Sequence, residues 1–185
     1  MRQRPFEELT PQLAWIRDAP ADAGRVEMLV RRPAVDQREL VDRASFDESA
    51  GLVGDNWRER GSSSTPDGAA NPLGQVTVTS WRAVCALADS PEERALAGDQ
   101  VYVDLDLSEE NLPAGTLLAL GSAVLEVTAK PHTGCHKFRA RFGGGALRFV
   151  NTGAGSQLRL RGINTRVVRP GVAAVGDAVV VKRPG

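Results

Sequence analysis

Cys135 stands between His132 and His136, the only two histidines in the chain, within Pro131-His132-Thr133-Gly134-Cys135-His136-Lys137-Phe138. Lys137, Arg139 and Arg141 follow at once. A cationic neighbourhood lowers a thiol's pKa, and the thiolate is both the nucleophile and the metal-binding form. Cys135 is therefore the first candidate for catalysis or metal ligation, with His132 as the base that would take the thiol proton. A zinc site fits poorly, because structural zinc wants about four ligands and no Cys-x-x-Cys pair exists to complete a set. Cys85, beside Val84 and Leu87 on an apolar helical face, reads as core.

Two further groups could handle a ligand. From Lys130 to Arg169 the chain carries nine Lys or Arg and no acid, which suits a small anionic ligand, such as a phosphate, or a persulfide-bearing partner. Lys137, Arg139, Arg141 and Arg161 are the candidates in that run. The long polar stretch from Gly54 to Gly74 begins with Asp55, Asn56, Trp57 and Arg58, and twenty residues without periodicity are more often functional than inert. Asp55, Asn56 and Arg58 are expected to orient a ligand, and the loop is a candidate lid. Gly143-Gly144-Gly145 reads as a connector, with a weaker reading as a phosphate cradle.

The elements that must position these groups are mostly strands. Val101–Leu107 alternates most clearly, and Val26–Val30, Gln75–Thr79, Gly115–Ser122, Ala123–Ala129, Gly162–Val168 and Ala178–Val181 follow. A further strand is expected over Gln37–Val41, while Asp47–Leu52 gives mixed signals. Ser80 and Ser90-Pro91 are helix starts, and a short helix is expected to begin near Thr10-Pro11. Ala146–Val150 and Gln157–Leu160 read as helical or irregular. With hairpin connections and no repeated strand–helix–strand rhythm, the expected fold is mainly β: a closed antiparallel β-barrel with several short peripheral helices. Residues 1–24 are expected to form an N-terminal helix and linker, and 25–185 the barrel domain.

The bulk properties limit the function classes. The 185 residues are 42% hydrophobic and 25% charged, and 23 basic residues balance 23 acidic ones. This balance gives no support for nucleic-acid binding, and no apolar run is long enough to span a bilayer. Two cysteines make no disulfide framework. The start lacks the apolar core of a signal peptide, so a reducing cytoplasm is the expected location.

The order of motifs resembles the MOSC domain in its stand-alone bacterial form, a family named for the C-terminal region of molybdenum cofactor sulfurases. The likeness runs through Arg32-Pro33, Gly51–Asp55, Gln75–Val78, Gly98–Val101, Glu110–Leu112, the cysteine turn, Leu160–Ile163, Gly171 and Gly176-Asp177. It implies a MOSC or pyruvate-kinase-type barrel in which Cys135 handles sulfur, as a persulfide carrier or as a molybdenum ligand. It also implies the molybdenum cofactor as ligand, and a cysteine desulfurase or a molybdoenzyme as partner. The chain has no pyridoxal-phosphate-dependent domain of the kind found in full sulfurases, and Asn71–Gly74 stands where some relatives carry His-Gly-Gly. From the residues alone, two alternatives stand beside this: a thiol-dependent enzyme acting on a small molecule, and a non-catalytic ligand-binding barrel.

Overall fold

In a computed structural model, residues 1–183 are described. Helix α1 (Phe6–Leu9) runs through a 3-10 turn at Thr10–Gln12 into α2 (Leu13–Arg17). The helix thus starts four residues before Thr10, whose hydroxyl donates to the Phe6 carbonyl (2.9 Å) instead of capping. Pro11 has no N–H to continue an α-helical ladder, so the chain tightens at that point.

Strands β1 (Ala23–Arg31), β2 (Glu39–Val41), β3 (Arg43–Asp47) and β4 (Gly51–Leu52) follow. Then come α3 (Trp57–Arg60), β5 (Val76–Ser80), α4 (Trp81–Leu87), α5 (Pro91–Ala95) and β6 (Val101–Asp104). A hairpin of β7 (Leu117–Leu120) and β8 (Ala123–Val127) leads to α6 (His136–Asn151) and α7 (Ala154–Gln157). Strands β9 (Ile163–Arg169), β10 (Gly171–Ala174) and β11 (Ala178–Lys182) end the fold.

Seven strands close a barrel in the order β11-β7-β8-β9-β5-β6-β1, and β1 pairs with β11 to complete the ring. Strand β1 begins inside the stretch expected to be a linker, because Ala23 and Gly24 supply part of that closing ladder. Every pairing is antiparallel except β5 with β6. That pair is parallel because α4 and α5 carry the chain back across the barrel's outer face. Both helices start as their residues dictate: the Ser80 hydroxyl accepts from the Ala83 amide (3.3 Å) and Ser90 from Glu93 (3.2 Å). Outside the barrel, β10, β3 and β4 make a second small sheet.

Two cores hold this together. Val26, Leu29, Val78, Val103, Leu118, Leu125 and Ile163 fill the barrel. Met28, Val30 and Tyr102 point the other way on the same strands and pack under the helices with Leu9, Phe138, Phe142 and Phe149. Burial on both faces explains why β1 and β6 are apolar beyond strict alternation.

Helix α6 is broken at Gly143 (φ 89°, ψ 172°). The glycine run lies within α6 and is not a connector; Gly143 and Gly145 receive the chain's own N-terminal segment, and Gly144 faces open space. A side chain at Gly145 would meet the Arg4 carbonyl and the Phe6 amide at 2.7 Å each, and Gln3 lies against Gly143. Among the described residues no helix is long and apolar enough to cross a membrane.

Candidate functional site

Strand β8 ends at Val127 and the chain runs irregularly to Cys135, which is the residue preceding the first turn of α6. The run into it is clamped: the Asn151 side chain accepts from the Gly134 amide (2.8 Å) and donates to its carbonyl (3.0 Å). Cys135 is exposed. Burial pushes its thiol up, but the backbone amides of Phe138 and Lys137, with the Arg161 guanidinium, outweigh this and hold it below the ordinary thiol range. No complete capping hydrogen bond reaches the sulfur, so the amides act on it as dipoles at a helix N-terminus.

The thiol opens on a cleft of about 240 Å3 whose wall carries six cationic side chains, Arg32, Arg38, Arg60, Lys137, Arg141 and Arg161, and one acid, Asp36. Asp36 is spent on Arg141 (2.8 Å). The cations act on one another. Burial first, then Arg141 and Arg32, hold Arg38 below its ordinary pKa, and burial with Arg32 does the same for Arg60. Arg161 is 8% exposed and stacks over Phe138, with the guanidinium 5.1 Å from the ring centroid. Its Nη2 donates to the Ala97 carbonyl (2.8 Å) and its Nη1 to Asp99 (2.5 Å). The Nε groups of Arg161 and Arg38 are enclosed and have no partner among the described residues. Enclosed donors without acceptors are rare in folded proteins and mark a place where an acceptor belongs. An oxyanion is such an acceptor.

The expected ligand-binding residues divide. Lys137 and Arg141 are four apart on α6 and share the face that lines the cleft. Arg139 lies between them on the helical wheel's other side and is exposed; its backbone amide bonds the Cys135 carbonyl (2.9 Å) within the helix, and its side chain does not line the cleft. Asn56 lines the cleft; Arg58 lines a separate shallow hollow with Pro33 and Gly54. Asp55 is buried and engaged with Arg32, bonding its Nε (2.7 Å), its Nη2 (2.8 Å) and its amide (3.1 Å). Arg32 in turn donates to the Gly98 carbonyl (2.7 Å). Asp55 therefore acts through Arg32. The loop after Gly54 covers only one edge: Asn56 and Arg60 reach the cleft, while Ser64 turns away to meet the Lys130 ammonium (3.3 Å).

His132 is placed apart from the cleft. Its Nε2 meets Asp99 Oδ1 at 2.7 Å, and Asp99 is completely buried. Burial opposes the Asp99 charge, but Arg161 and His132 outweigh it and hold the carboxyl down to about 2. Burial and Arg161 lower the His132 pKa more than Asp99 raises it. The ring is thus neutral near pH 7, with its proton on Nε2 toward the carboxylate. It makes no hydrogen bond to Cys135. Among the described residues no three His, Cys, Asp or Glu side chains converge as a metal cage.

Sequence reasoning does not reach Arg38 and Arg60, and it meets Arg32 and Asp99 only inside the family likeness, with no site role. Their one local signal is polarity next to apolar strands: Arg32 just after β1, and Asp99-Gln100 just before β6, all three of them buried.

The thiols' settings make opposite expectations. Cys85 is half-buried and its thiol is pushed up by burial. At neutral pH iodoacetamide should alkylate Cys135 well ahead of Cys85, with a pH midpoint below the ~8.5 of free cysteine. Timed alkylation read by peptide mass spectrometry checks this, and Cys85 leading would contradict it.

Comparisons with known proteins bear on the same region. The family model described as MOSC domain matches residues 79–180, just over half of the chain. No curated protein matches. Among solved structures, the YUAD protein of Bacillus subtilis is similar with a TM-score of 0.64 at 17% identity, over 88% of this chain and 97% of that one. YiiM of Escherichia coli is similar with a TM-score of 0.56 at 18% identity, over 87% of this chain and 71% of that one. At these identities the likeness to solved structures is one of fold.

Proposed function

The chain belongs to the MOSC domain family, and on that premise we propose that its Cys135 cleft binds the molybdenum cofactor, with the Cys135 thiolate facing the metal. The observation that carries this reading is the pair of enclosed, unpartnered Nε donors of Arg38 and Arg161 in a cleft that also holds an exposed, acidified thiol. A phosphate-bearing ligand supplies the acceptors those donors lack, and a thiolate is a soft ligand suited to a metal–sulfur centre. Arg38, Arg161 and Lys137 would hold the phosphate, Arg32 and Arg141 would add charge to the wall, and Asn56 would close one edge. When bound, the cofactor supplies a redox-active metal centre. The protein's part is to hold the anion, lower the thiol's pKa so that more of it is ionised, and leave the sulfur open to solvent.

That openness favours a second reading, persulfide carriage. In it the Cys135 thiolate attacks the outer sulfur of a donor cysteine persulfide. One S–S bond forms, one breaks, and the donor leaves as a thiol, so no external oxidant is needed. The donor would be a cysteine desulfurase and the acceptor a molybdoenzyme, either of which could reach an exposed sulfur.

Protein made in a host that synthesises molybdenum cofactor tests the first reading. Molybdenum by elemental analysis and phosphorylated pterin by fluorescence should approach one per chain, and both should be lost in Cys135→Ala and fall in Arg161→Met. Neither molybdenum nor pterin in well-folded wild-type protein would sink it. Incubation with a cysteine desulfurase and cysteine, followed by intact mass, tests the second: one sulfur atom should add to Cys135 and none to Cys135→Ala.

A further inference from the structure

A second cavity, of about 210 Å3, shares no wall residue with the thiol cleft. The Pro131–Thr133 segment forms one side, with Lys130 and His132, and Arg159, Asn151 and Asn164 stand among the other lining residues. This wall is fixed by side-chain amides, one of which also clamps the run into Cys135. Asn151 holds both polar groups of Gly134, and Asn164 Nδ2 donates to the carbonyls of Lys130 and Pro131 at 3.1 Å each.

Three groups in the wall have unused capacity. The His132 Nε2–H donates to Asp99, so Nδ1 is an acceptor; among the described residues it has no partner, and it is not enclosed. Arg159 is one of only two non-glycine residues with positive φ (48°) among the described residues. Strain of that kind collects at ligand sites and switch regions. Its Nη1 is anchored on the Leu112 carbonyl at 2.7 Å, while Nη2 has only a loose pair, 3.9 Å, with Glu109, whose side chain is 80% exposed. Lys130 lines the cavity, and its ammonium donates one hydrogen bond, to the Ser64 hydroxyl at 3.3 Å. Glu109, at the rim, is the one acid in the lining and would repel an anion from that edge.

Two cations and a fixed neutral acceptor complement a small anion that also carries a hydrogen-bond donor. We propose that this cavity is a second ligand site, for a small hydroxycarboxylate whose carboxylate meets Arg159 and Lys130 and whose hydroxyl donates to His132 Nδ1. A bare oxyanion leaves Nδ1 unanswered, and a cation is excluded by the two basic side chains. The site is not sealed from the thiol cleft in an electrical sense. His132, Asp99 and Arg161 are a continuous chain of charged hydrogen bonds, and Arg161 is the guanidinium that acts on Cys135. A ligand on Nδ1 is therefore joined to the thiol through the half-buried His132 and the buried Asp99 and Arg161.

The test uses the full chain labelled with 15N and the imidazole resonances of its two histidines, told apart with His136→Gln. The probes are glycolate, acetate and inorganic phosphate. Glycolate should move the His132 Nδ1 signal saturably in the millimolar range, and acetate, which lacks the hydroxyl, should bind about threefold to tenfold more weakly, the worth of one hydrogen bond. Arg159→Gln and Lys130→Met should each weaken glycolate binding, while Arg38→Gln, in the thiol cleft, and Cys135→Ala should not. The readout needs neither the thiol nor a loaded cofactor, so its failure is separate from failure of the molybdenum reading. No saturable shift with glycolate, the same affinity in both Arg159→Gln and Lys130→Met, equal binding of acetate and glycolate, or saturation by phosphate alone would each overturn the assignment.

Discussion

Replacing Asp99 by alanine should destabilise the protein by about 3–5 kcal/mol, the usual loss when one partner of a buried ion pair is removed. For a chain of this length that corresponds to a fall in Tm on the order of 10 °C. The reason is local. Asp99 is fully buried, and it is the acceptor for both Arg161 and His132. Without it Arg161 keeps its charge, 8% exposed, with only the Ala97 carbonyl and the Phe138 ring to answer it. The pH dependence carries the same signature. Asp99 is held at about 2 in the folded protein against an ordinary ~3.9, so its contribution is complete above pH ~3.9 and disappears as pH falls through about 2. His132 is held below its ordinary ~6.5, so the unfolded chain takes that proton first and stability also drains as pH falls below ~6.5. Thermal melts of the wild type should therefore fall on acidification, and the part between pH ~4 and 2 should shrink in Asp99→Asn. An Asp99→Ala protein melting within a degree or two of wild type would show that Arg161 and His132 are satisfied in some other way.

What could be read from the chain followed from how local its cause was. The strands β5 and β6, the caps at Ser80 and Ser90, and the exposed cysteine at the start of a basic segment are set by neighbours within a few residues. The small sheet of β3, β4 and β10 is not. Gly171-Val172-Ala173-Ala174 and Arg43–Asp47 have little strand preference of their own, and they pair because the barrel brings them together. The cleft divides in the same way. Lys137 follows Cys135 by two residues, and Arg141 follows one helical turn after Lys137, whereas Arg32, Arg38 and Arg60 arrive from the first third of the chain. The basic run alone groups Arg139 with the cleft, because a list of basic residues ignores helical direction. At 100° per residue it cannot share the face of Lys137 and Arg141. His132 and Cys135 are three apart in sequence, yet the clamped segment between them turns the imidazole to one cavity and the thiol to the other.

Asp55 illustrates how the residues chosen for chemistry and those chosen for architecture can be separated by measurement. A carboxylate whose task is to touch the ligand should be removable with little effect on an empty protein. The geometry points the other way. Asp55 grips Arg32 through two guanidinium nitrogens and its backbone amide, and also accepts from the Trp57 amide at 3.0 Å. Both side chains of the pair are nearly or fully buried, at 8% and 0% exposure. Asp55→Ala should therefore lower stability by about 3–5 kcal/mol without any ligand present, because it strands a buried guanidinium and frees the first turn of α3. Arg32→Met should be milder if the freed carboxylate is reached by water through the cleft. The double variant Asp55→Ala/Arg32→Met should be more stable than Asp55→Ala alone, since no charge is left unpaired; denaturant unfolding of the three proteins gives the coupling directly. Strict additivity would mean that the pair does not act as a unit, and that Arg32 owes its place in the cationic wall to the Gly98 carbonyl alone. If the coupling is large, the anion affinity of the cleft is set in part by a carboxylate that never touches the anion, because it is Asp55 that aims one of the six cations.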